Sequence, residues 1–344
     1  MPLRIAINGF GRIGRCVLRA LIEQGVDDID VVAINDLSPP ETLAHLLRYD
    51  SVHGRLRAPV SIDGDVMTVG RHRIRMTAVR APEDLPWSDV DVAYECTGLF
   101  TAREKAAAHL KNGSKRVLVS APAKGADKTI VYGVNHDALT AEDVIVSNAS
   151  CTTNCLAPVA KVLDEAFGIV TGYMTTIHSF TGDQPSHDAS HRDLYRARAA
   201  SMSMIPTSTG AARAISLVLP QLEGRLEGSA VRVPTPNVSM VDLCFTPERT
   251  ATREAINAAM REAADGALKG VLSYEEDPLV SVDFNHDPHS SCFASPQTTV
   301  TAEGMARIVS WYDNEWGFSC RMIDTGRAIG RLIETAASDL RRAG

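Results

Sequence analysis

The stretch LRIAINGFGRIGR, near the start of the sequence, restricts the fold more than any other feature. LRIAIN (3–8) is a short apolar run typical of a buried strand, and residues 12–24 carry apolar side chains at helical spacing. DVVAIN (30–35) again has a strand pattern. A strand, a glycine-rich turn, a helix and a second strand make a βαβ unit, which predicts a parallel sheet covered by helices.

Further apolar runs at 91–95, 116–120 and 144–148 continue this pattern, with a helical stretch near 102–111. They are near-continuous rather than alternating, which is typical of parallel strands buried on both faces. We therefore predict a Rossmann-type, doubly wound parallel sheet domain over residues 1–150.

The pattern changes after residue 151. A helical segment near 152–167 is followed by helical signals near 209–220 and 252–267, with strand candidates between and after them. The strand candidates are YMTTIHSF, SAVRVP, VSMVDLCF, LVSVDF and ARIVSWY. This order predicts an α+β domain with a mostly antiparallel sheet over residues 151–316, and a final helix at 317–341 that packs back onto the first domain.

Composition and charge exclude several classes of function. The seven cysteines are scattered and contain no CxxC pair, so neither a disulfide framework nor a zinc site is indicated. The net charge of −7 comes from interspersed residues, which argues against nucleic acid or anionic membrane as the main partner. The apolar runs are too short to span a bilayer, and the start MPLRIAINGFGR lacks a signal-peptide core. We therefore expect a cytoplasmic protein.

The glycines of NGFGRIG (8–14) predict a dinucleotide-binding turn. Gly9, Gly11 and Gly14 have the GxGxxG spacing, and they lie between a strand and a helix. The first glycine permits the tight turn, the second lets a pyrophosphate approach the backbone, and the third lets the helix pack on the strand. A simple turn-forming glycine cluster is the alternative.

The residues around this turn indicate which dinucleotide is bound. The backbone amides of Arg12 and Ile13 would meet a pyrophosphate at the N-terminus of the helix. Asp36 follows the next strand, and its carboxylate would accept hydrogen bonds from the adenosine ribose. Because this carboxylate would repel a 2′-phosphate, the pattern favours NAD over NADP.

Cys151, in SNASCTTNC (147–155), is a candidate nucleophile. It follows a strand and begins a helical stretch, so unpaired amides and the helix dipole would stabilise a thiolate there. Residues 150 and 152–154 are polar, which suits a cleft better than an apolar core. A buried cysteine without chemistry is the alternative, and it is the favoured interpretation for Cys155 one helical turn later.

A thiolate nucleophile usually has a base, but the pattern alone does not select one of the ten histidines. His178 ends the strand-like run YMTTIH, while histidines at 187, 191, 286 and 289 are further candidates. His286 and His289 lie near Asp283 and Asp287, which raises the alternative of a metal site. Their spacing matches no closed site, so a polar loop is favoured.

Six motifs taken together resemble the phosphorylating glyceraldehyde-3-phosphate dehydrogenases. They occur in order between about residues 3 and 335, and are INGFGRIGR, SNASCTTNC, HSFTGDQ, PTSTGAA, VRVPTPNVS and WYDNEWGFS. The resemblance implies oxidation of D-glyceraldehyde 3-phosphate with NAD and inorganic phosphate to 1,3-bisphosphoglycerate, a reaction of glycolysis and gluconeogenesis. Cys151 would attack the aldehyde to give a hemithioacetal and then a thioester, and His178 would take up the proton.

The resemblance also implies the binding residues. Those for the substrate phosphate and the attacking phosphate are Ser150, Thr152, Thr181, Asp183, Arg196, Thr209, Gly210 and Arg232. Those for the cofactor are Gly9, Gly11, Arg12, Ile13, Asp36, Arg80, Ser120 and, near the nicotinamide amide, Asn314. No metal is implied, and the assembly implied is a homotetramer.

Two alternatives to this function are considered. DFNHDPHS also resembles the related erythrose-4-phosphate dehydrogenases, but TGDQ and TSTGAA are similar to the glyceraldehyde-phosphate enzymes. The second alternative is a non-enzymatic, NAD-binding scaffold protein. The presence of Cys151, His178 and both anion-site arginines argues against it, because a scaffold has no physical need for them together.

Overall fold

A computed structural model describes residues 2–343, and the chain divides into two compact units. The first unit comprises the residues through Ile130, residues Asn135–Ala149 and the residues from Ser319 on. The second comprises Val131–Val134 and Ser150–Phe318. No helix in the described range combines the length and the apolar character that crossing a membrane requires.

The first unit is built on a long sheet. Its strands are β1 (Leu3–Asn8), β2 (Ile29–Asn35), β3 (Tyr49–Asp50), β4 (Gly54–Arg55), β5 (Val60–Asp63), β6 (Val66–Val69), β7 (His72–Thr77), β8 (Val92–Glu95), β9 (Arg116–Val119), β10 (Lys128–Thr129) and β11 (Ile145–Ser147). The sheet order is β10-β11-β9-β8-β1-β2-β7-β6-β5, and β3 pairs separately with β4. All neighbours from β10 to β7 are parallel, while β5, β6 and β7 pair antiparallel. The predicted Rossmann-type sheet is confirmed.

The order of this sheet creates the edge at which a ligand can bind. Strands β2 and β7 lie on one side of β1, and β8 and β9 lie on the other, so the chain changes direction at β1. Ligands of open α/β sheets bind beyond the carboxyl ends of the strands at such a point. The helices of this part are α1 (Arg12–Glu23), α2 (Pro40–Arg48), α3 (Arg103–Ala106) and α4 (Ala108–Lys111).

The second unit has a mixed, largely antiparallel sheet of eight strands, as predicted. They are β12 (Ile169–Ser179), β13 (Ile205–Ser208), β14 (Leu226–Val233), β15 (Ser239–Pro247), β16 (Leu272–Glu275), β17 (Ser291–Ala294), β18 (Thr299–Val300) and β19 (Ala306–Tyr312). The order is β13-β14-β12-β15-β19-β17-β16, with β18 paired to β19. Only β12 with β14 and β16 with β17 are parallel neighbours.

Three helices accompany this sheet, and a fourth follows it. They are α5 (Cys151–Phe167), α6 (Ala211–Ala214), α7 (Arg253–Asp265) and α8 (Trp316–Ala343), of which the part from Ser319 on belongs to the first unit. In that unit the Tyr94 hydroxyl donates to the carbonyl of Met322 at 3.1 Å. Arg327 of α8 forms an ion pair with Asp28, with an Nε–Oδ2 distance of 2.8 Å.

The prediction of a strand at LVSVDF is wrong. Ser281–Phe284 form a single 3₁₀ turn, closed by the amide of Val280, which donates to Asp283 Oδ2 at 2.8 Å. Val280 and Val282 are exposed, whereas Phe284 is buried. The alternating apolar residues therefore do not form one continuous buried face, as those of a strand would. The local bond from the Val280 amide to Asp283 determines the structure instead.

The helical prediction at 209–220 holds for one turn only. The α-helix α6 has four residues, and 3₁₀ turns at Ile215–Leu217 and Pro220–Leu222 follow it. Pro220 has no amide hydrogen to donate to the carbonyl of Ser216, so a regular helix cannot continue through residue 220. The helix predicted near 102–111 is present as two short helices, α3 and α4. The hairpins within residues 49–77 were not predicted from the sequence.

Candidate active site

Cys151 is the first residue of α5, and its position follows from a capped helix start. The hydroxyl of Ser150, the N-cap residue, accepts a hydrogen bond from the amide of Thr153 at 3.0 Å. Ala149, just before it, has a φ of +56°, a left-handed conformation that is uncommon for a residue other than glycine. The chain thus turns sharply out of β11 and presents the thiol at the positive end of a 17-residue helix.

His178 lies next to this thiol. It is near the end of β12, its side chain is only 4% exposed, and its Nε2 is 3.5 Å from Cys151 Sγ. This is the distance at which a thiol and an imidazole exchange a proton. Of the histidines that the pattern left open, the structure brings His178 to Cys151.

The other ring nitrogen of His178 determines where its proton lies. Nδ1 is 2.7 Å from the carbonyl of Ser179 and 2.8 Å from Nη1 of Arg232. If Nδ1 donates to Ser179, then Nε2 is unprotonated and can accept the thiol proton. If Nδ1 instead accepts from Arg232, then Nε2 carries the proton and donates it towards the sulfur. The contacts of Nδ1 are thus compatible with either tautomer, one in which Nε2 is a base and one in which it is a donor.

Burial and one positive charge control the protonation of the pair. Burial raises the pKa of the Cys151 thiol, and the charge of Arg232 and the amide of Thr152 offset part of this rise. Burial and then the charge of Arg232 lower the pKa of His178 to about 3. Both shifts favour the uncharged forms, the thiol of Cys151 and the neutral imidazole of His178. The common cause is desolvation, which disfavours the charged form of each group.

An arginine-rich cluster lies beside His178. Arg232 is opposite His178 in the parallel pairing of β12 with β14, and its Nη1 lies 3.4 Å from the Thr181 hydroxyl. That hydroxyl donates to Asp183, whose other carboxylate oxygen accepts from Arg196 Nη1 at 2.9 Å. Four of the predicted anion-site residues, Thr181, Asp183, Arg196 and Arg232, thus form one network.

Charge and unused donors suit this cluster to an anion. Burial would raise the pKa of Asp183, but the hydrogen bond from Thr181 and the guanidinium groups of Arg232 and Arg196 outweigh it and lower the pKa. Nε of Arg232 is buried and has no hydrogen-bond partner among the described residues. A buried donor without an acceptor is costly, and a phosphate oxygen would satisfy it.

The remaining predicted anion-site residues are not in this network. The Thr152 side chain is buried, and its hydroxyl is 2.8 Å from the Tyr312 hydroxyl. The Thr209 hydroxyl accepts from the amide of Ala211 at 3.2 Å. No hydrogen bond within residues 2–343 joins Thr209 or Gly210 to either arginine, and α6, which they precede, is a single turn.

Sequence reasoning missed two kinds of supporting residue. Tyr312 contacts Thr152 and also Thr176 of β12, where the hydroxyl oxygens are 2.9 Å apart, so it ties the start of α5 to the sheet. Thr207 accepts from Arg196 Nε at 3.0 Å and donates to Asp193 at 3.2 Å. Thr207 lies in the motif PTSTGAA and Tyr312 lies in WYDNEWGFS. Their contacts join separate parts of the chain, so the motifs alone do not reveal them.

The glycine turn of the first unit fits a bound dinucleotide. Gly9 has a φ of +89°, and a Cβ there would lie 2.7 Å from the amide nitrogen of Thr97. A Cβ on Gly14 would lie 2.3 Å from the carbonyl oxygen of Gly9, so α1 can pack against this turn only because residue 14 is glycine. At Gly11, by contrast, a Cβ would meet no atom within 4 Å, and this residue provides no side chain to cap α1. The open space and the uncapped helix start leave room for a phosphate.

The other predicted cofactor residues of this unit follow the ends of parallel strands. Asp36 follows β2, and its carboxylate accepts from the amides of Phe10 and Ser38, each at 2.9 Å. Ser120 follows β9, while Arg80 lies exposed beyond β7. Arg12 begins α1, and its guanidinium pairs with buried Asp50 at 2.5 Å. Ile13 is next to it in the first turn.

Asn314, in the second unit, has a fixed side-chain orientation. Its Oδ1 accepts from the hydroxyls of Ser179 and Ser239, both at 2.9 Å. Because two donors hold the oxygen, the amide nitrogen of Asn314 is turned away from them and can donate to another group. A carboxamide oxygen, such as that of nicotinamide, is an acceptor of the matching kind.

Comparison with known proteins agrees with these observations. Residues 3–103 match the NAD binding domain of glyceraldehyde 3-phosphate dehydrogenase, and residues 150–314 match its C-terminal domain. A glyceraldehyde-3-phosphate dehydrogenase of Cereibacter sphaeroides is 66% identical over 333 residues, which cover 97% of this chain and all of the relative. One from Xanthobacter flavus is 63% identical, covering 96% of this chain and all of the relative. The chain belongs to the glyceraldehyde-3-phosphate dehydrogenase family.

Membership in the glyceraldehyde-3-phosphate dehydrogenase family has direct consequences. The chain is an NAD-dependent oxidoreductase, and its first unit contains the NAD-binding domain. The resemblance seen in the six motifs is confirmed, and neither an erythrose-4-phosphate dehydrogenase nor a scaffold protein is favoured. All seven cysteines lie in the described part of the chain and none forms a disulfide, as expected from their spacing.

Proposed function

We propose that this protein oxidises D-glyceraldehyde 3-phosphate with NAD and inorganic phosphate to 1,3-bisphosphoglycerate. The observation that carries the proposal is the 3.5 Å contact of Cys151 Sγ with His178 Nε2, beside the network of Arg232 and Arg196. In this proposal residues 1–150 form the NAD-binding domain, with the final helix at 317–341 packing back onto it, and residues 151–316 form the catalytic domain.

The first step is addition of Cys151 to the aldehyde carbon. In its base form His178 accepts the thiol proton at Nε2 as the sulfur–carbon bond forms, which gives a hemithioacetal. Nε2–H then faces the new oxygen and stabilises its developing negative charge. A base that is neutral at rest suits this step, since an imidazolium could accept no proton.

The second step oxidises the bound carbon, and the third releases the product. NAD, when bound, would supply the hydride acceptor for this step, and the carbon held on Cys151 would then be left as a thioester. A phosphate oxygen then attacks the thioester carbon, and the carbon–sulfur bond breaks. The sulfur leaves as a thiolate and regains a proton from His178, which restores the starting pair.

The two phosphate groups are held by the predicted anion residues. Arg232 and Arg196 supply guanidinium groups, whose planar forks suit phosphate oxygens. The hydroxyls of Ser150, Thr152, Thr181 and Thr209 and the amide of Gly210 complete the proposed set, with Asp183 positioning Arg196. Thr152 would have to exchange its Tyr312 partner for a phosphate oxygen, so its role is the least direct.

Replacing Arg196 should weaken substrate binding selectively. Arg196→Met removes a charged donor, and the loss of such a bond, about 1.5–3 kcal/mol, raises KM for the aldehyde or for phosphate roughly 10- to 150-fold. Steady-state kinetics with each substrate varied in turn would measure this. The matched control is Arg198→Met, because Arg198 is exposed and pairs with Asp188 rather than with the cluster. Equal effects of the two changes would contradict the assignment.

Replacing Arg232 should move both pKa values of the catalytic pair upward. Its charge lowers the pKa of Cys151 and of His178, so Arg232→Met raises both, whereas Arg232→Lys largely keeps them. Activity requires neutral His178, and the acid limb of the kcat profile therefore moves to higher pH. The pH dependence of iodoacetamide alkylation reports the thiol. Unchanged profiles in Arg232→Met would show that its charge does not reach the pair.

Asp36 is proposed to select NAD over NADP. Asp36→Ala should reduce the NAD/NADP preference in kcat/KM by roughly 10- to 100-fold, because it removes charge-assisted bonds to the ribose and the repulsion of a 2′-phosphate. It also removes the acceptor of the Phe10 and Ser38 amides, so Kd values for both cofactors should be measured by fluorescence titration. An unchanged Kd ratio would mean that the ribose is recognised elsewhere.

A homotetramer in the cytoplasm is the proposed setting. Large apolar side chains on the second unit are exposed in the single chain, among them Tyr173, Leu194, Met202 and Met204, and burial in an interface would stabilise them. Light scattering after size exclusion should give four times the 37.0 kDa mass of one chain. Cysteines without disulfides fit a reducing compartment.

The substrate is tested by direct comparison of two aldehydes. We expect phosphate-dependent NADH formation with a higher kcat/KM for D-glyceraldehyde 3-phosphate than for erythrose 4-phosphate. The reverse order would make the protein an erythrose-4-phosphate dehydrogenase. No turnover of either aldehyde, with NAD still bound, would favour the scaffold alternative.

A further inference from the structure

Three side chains of different chemistry converge in the segment HDPHSSC (286–292), in the second unit and outside the cysteine–histidine pair. They are Asp287, His289 and Cys292, and one ligand atom from each lies within 4.8 Å of the other two. His289 Nδ1 is 2.8 Å from Asp287 Oδ1, and Cys292 Sγ is 3.5 Å from the same oxygen. The sequence pattern suggested His286 and Asp283 as partners of a metal. The structure brings in Cys292 instead.

The backbone on both sides of this triad is fixed. The amide of Asp287 donates to the carbonyl of Phe284 at 3.1 Å, and the amide of Ser290 donates to Val271 at 2.9 Å. A Cβ on Gly317 would lie 2.4 Å from the carbonyl oxygen of His289, so the segment is tightly packed from behind. Cys292 itself is on β17, fully buried and paired with Trp311 of β19. The three side chains are therefore held together before any ligand binds.

Two of the three side chains reach solvent. The side chains of Asp287 and His289 are 27% and 28% exposed, whereas Cys292 is fully buried. Asp287 Oδ2 has no hydrogen-bond partner among the described residues, so a carboxylate oxygen is available. An ion bound here would have an oxygen, a nitrogen and a sulfur as protein ligands, and solvent can reach it past Asp287 and His289.

This donor set determines the ion. Zn²⁺ binds carboxylate, imidazole and thiolate ligands together in four-coordinate sites, and three protein ligands leave the fourth position to water. Mg²⁺ and Ca²⁺ require oxygen ligands and would reject the sulfur. We propose that Asp287, His289 and Cys292 form a binding site for one Zn²⁺ ion per chain, with a solvent molecule as fourth ligand. Binding releases the thiol proton to solvent.

The test uses the full-length protein with the Cys151→Ser substitution, so that the proposed nucleophile cannot bind the metal. Equilibrium dialysis against zinc buffered by a competing chelator, with metal measured by mass spectrometry, should show one Zn²⁺ per chain that His289→Asn removes. In His289→Asn, the Kd for Zn²⁺ should rise by more than the 10- to 100-fold that results when a metal ligand loses only its outer hydrogen-bond partner. His289 is partly exposed, so this change should not disturb folding.

Cobalt provides a second measurement. Co²⁺ in the same site should give the intense visible bands of tetrahedral coordination and a sulfur-to-metal charge-transfer band, and Cys292→Ser should abolish the latter. The matched control is Cys244→Ser, which removes a half-buried thiol of the same unit and should leave both bands unchanged. Equal zinc binding with and without His289, or a charge-transfer band that survives Cys292→Ser, would overturn the site. Neither outcome depends on dehydrogenase activity.

Discussion

Replacing Cys151 by serine should lower kcat by roughly 10⁴- to 10⁶-fold, the loss seen when a covalent nucleophile is removed. A serine hydroxyl is a far weaker nucleophile than a thiol near neutral pH, and no thioester can form on it. The measurement is phosphate-dependent NADH formation at saturating substrates, with NAD affinity as a check that the first unit is intact. Retained activity would refute covalent catalysis at this residue.

The control for this change is on the same helix. Cys155 lies one turn further along α5, fully buried, with its sulfur 3.5 Å from the Ser291 hydroxyl. Burial raises the pKa of Cys155 to about 12, so it stays a thiol. We expect Cys155→Ser to keep kcat within a few-fold. Mass spectrometry should show iodoacetamide inactivating the wild type with one alkyl group per chain, and Cys151→Ser should resist that modification.

His178→Asn has the second largest expected effect, a loss of roughly 10²- to 10⁴-fold in kcat. Asparagine cannot accept the thiol proton or return it to the leaving sulfur. KM should change less than kcat, since His178 acts on the reacting sulfur through Nε2 and touches the anion cluster only through the contact of Nδ1 with Arg232. The matched control is His187→Asn, which alters an exposed histidine of the following loop and should leave kcat unchanged.

The pH dependence of alkylation distinguishes two states of the pair. With His178 neutral at rest, His178→Asn should shift the thiol pKa less than Arg232→Met does, because the charge felt by the sulfur comes from the guanidinium. A larger shift in His178→Asn would instead show that a thiolate–imidazolium pair forms without ligands. The two variants should therefore be compared under identical conditions.

The sequence predicted those features that depend on local spacing. The turn at Gly9 and Gly14 could be predicted because its backbone leaves no room for a Cβ at either position. Asp36 could be named as a cofactor candidate because it follows β2, the strand next to β1. The start of α5 at Cys151 could also be predicted, since serine, here Ser150, is a favoured N-cap residue. The two kinds of sheet followed from the change in periodicity after residue 151.

Features that depend on long-range pairing could not be predicted from pattern alone. The choice of His178 among ten histidines depends on how β12 lies against α5, and the contacts of Tyr312 depend on the β15–β19 pairing. The protonation of the pair also depends on the packed structure, because packing determines how far each group is desolvated. The prediction of a strand at LVSVDF was wrong for a local reason, since the hydrogen bond from the Val280 amide to Asp283 competes with strand formation.

The parallel pairing of β12 with β14 has a consequence for how this protein can vary. His178 and Arg232 are neighbours because of strand register, and parallel strands are joined by a long crossover, here residues 180–225. Insertions or deletions in that crossover do not alter the register, which the hydrophobic faces of the strands fix. The segment that carries Arg196 can thus be redesigned for other aldehydes while the proton-transfer apparatus stays intact. Recognition through Arg196 can therefore vary separately from proton transfer, whereas Arg232 takes part in both.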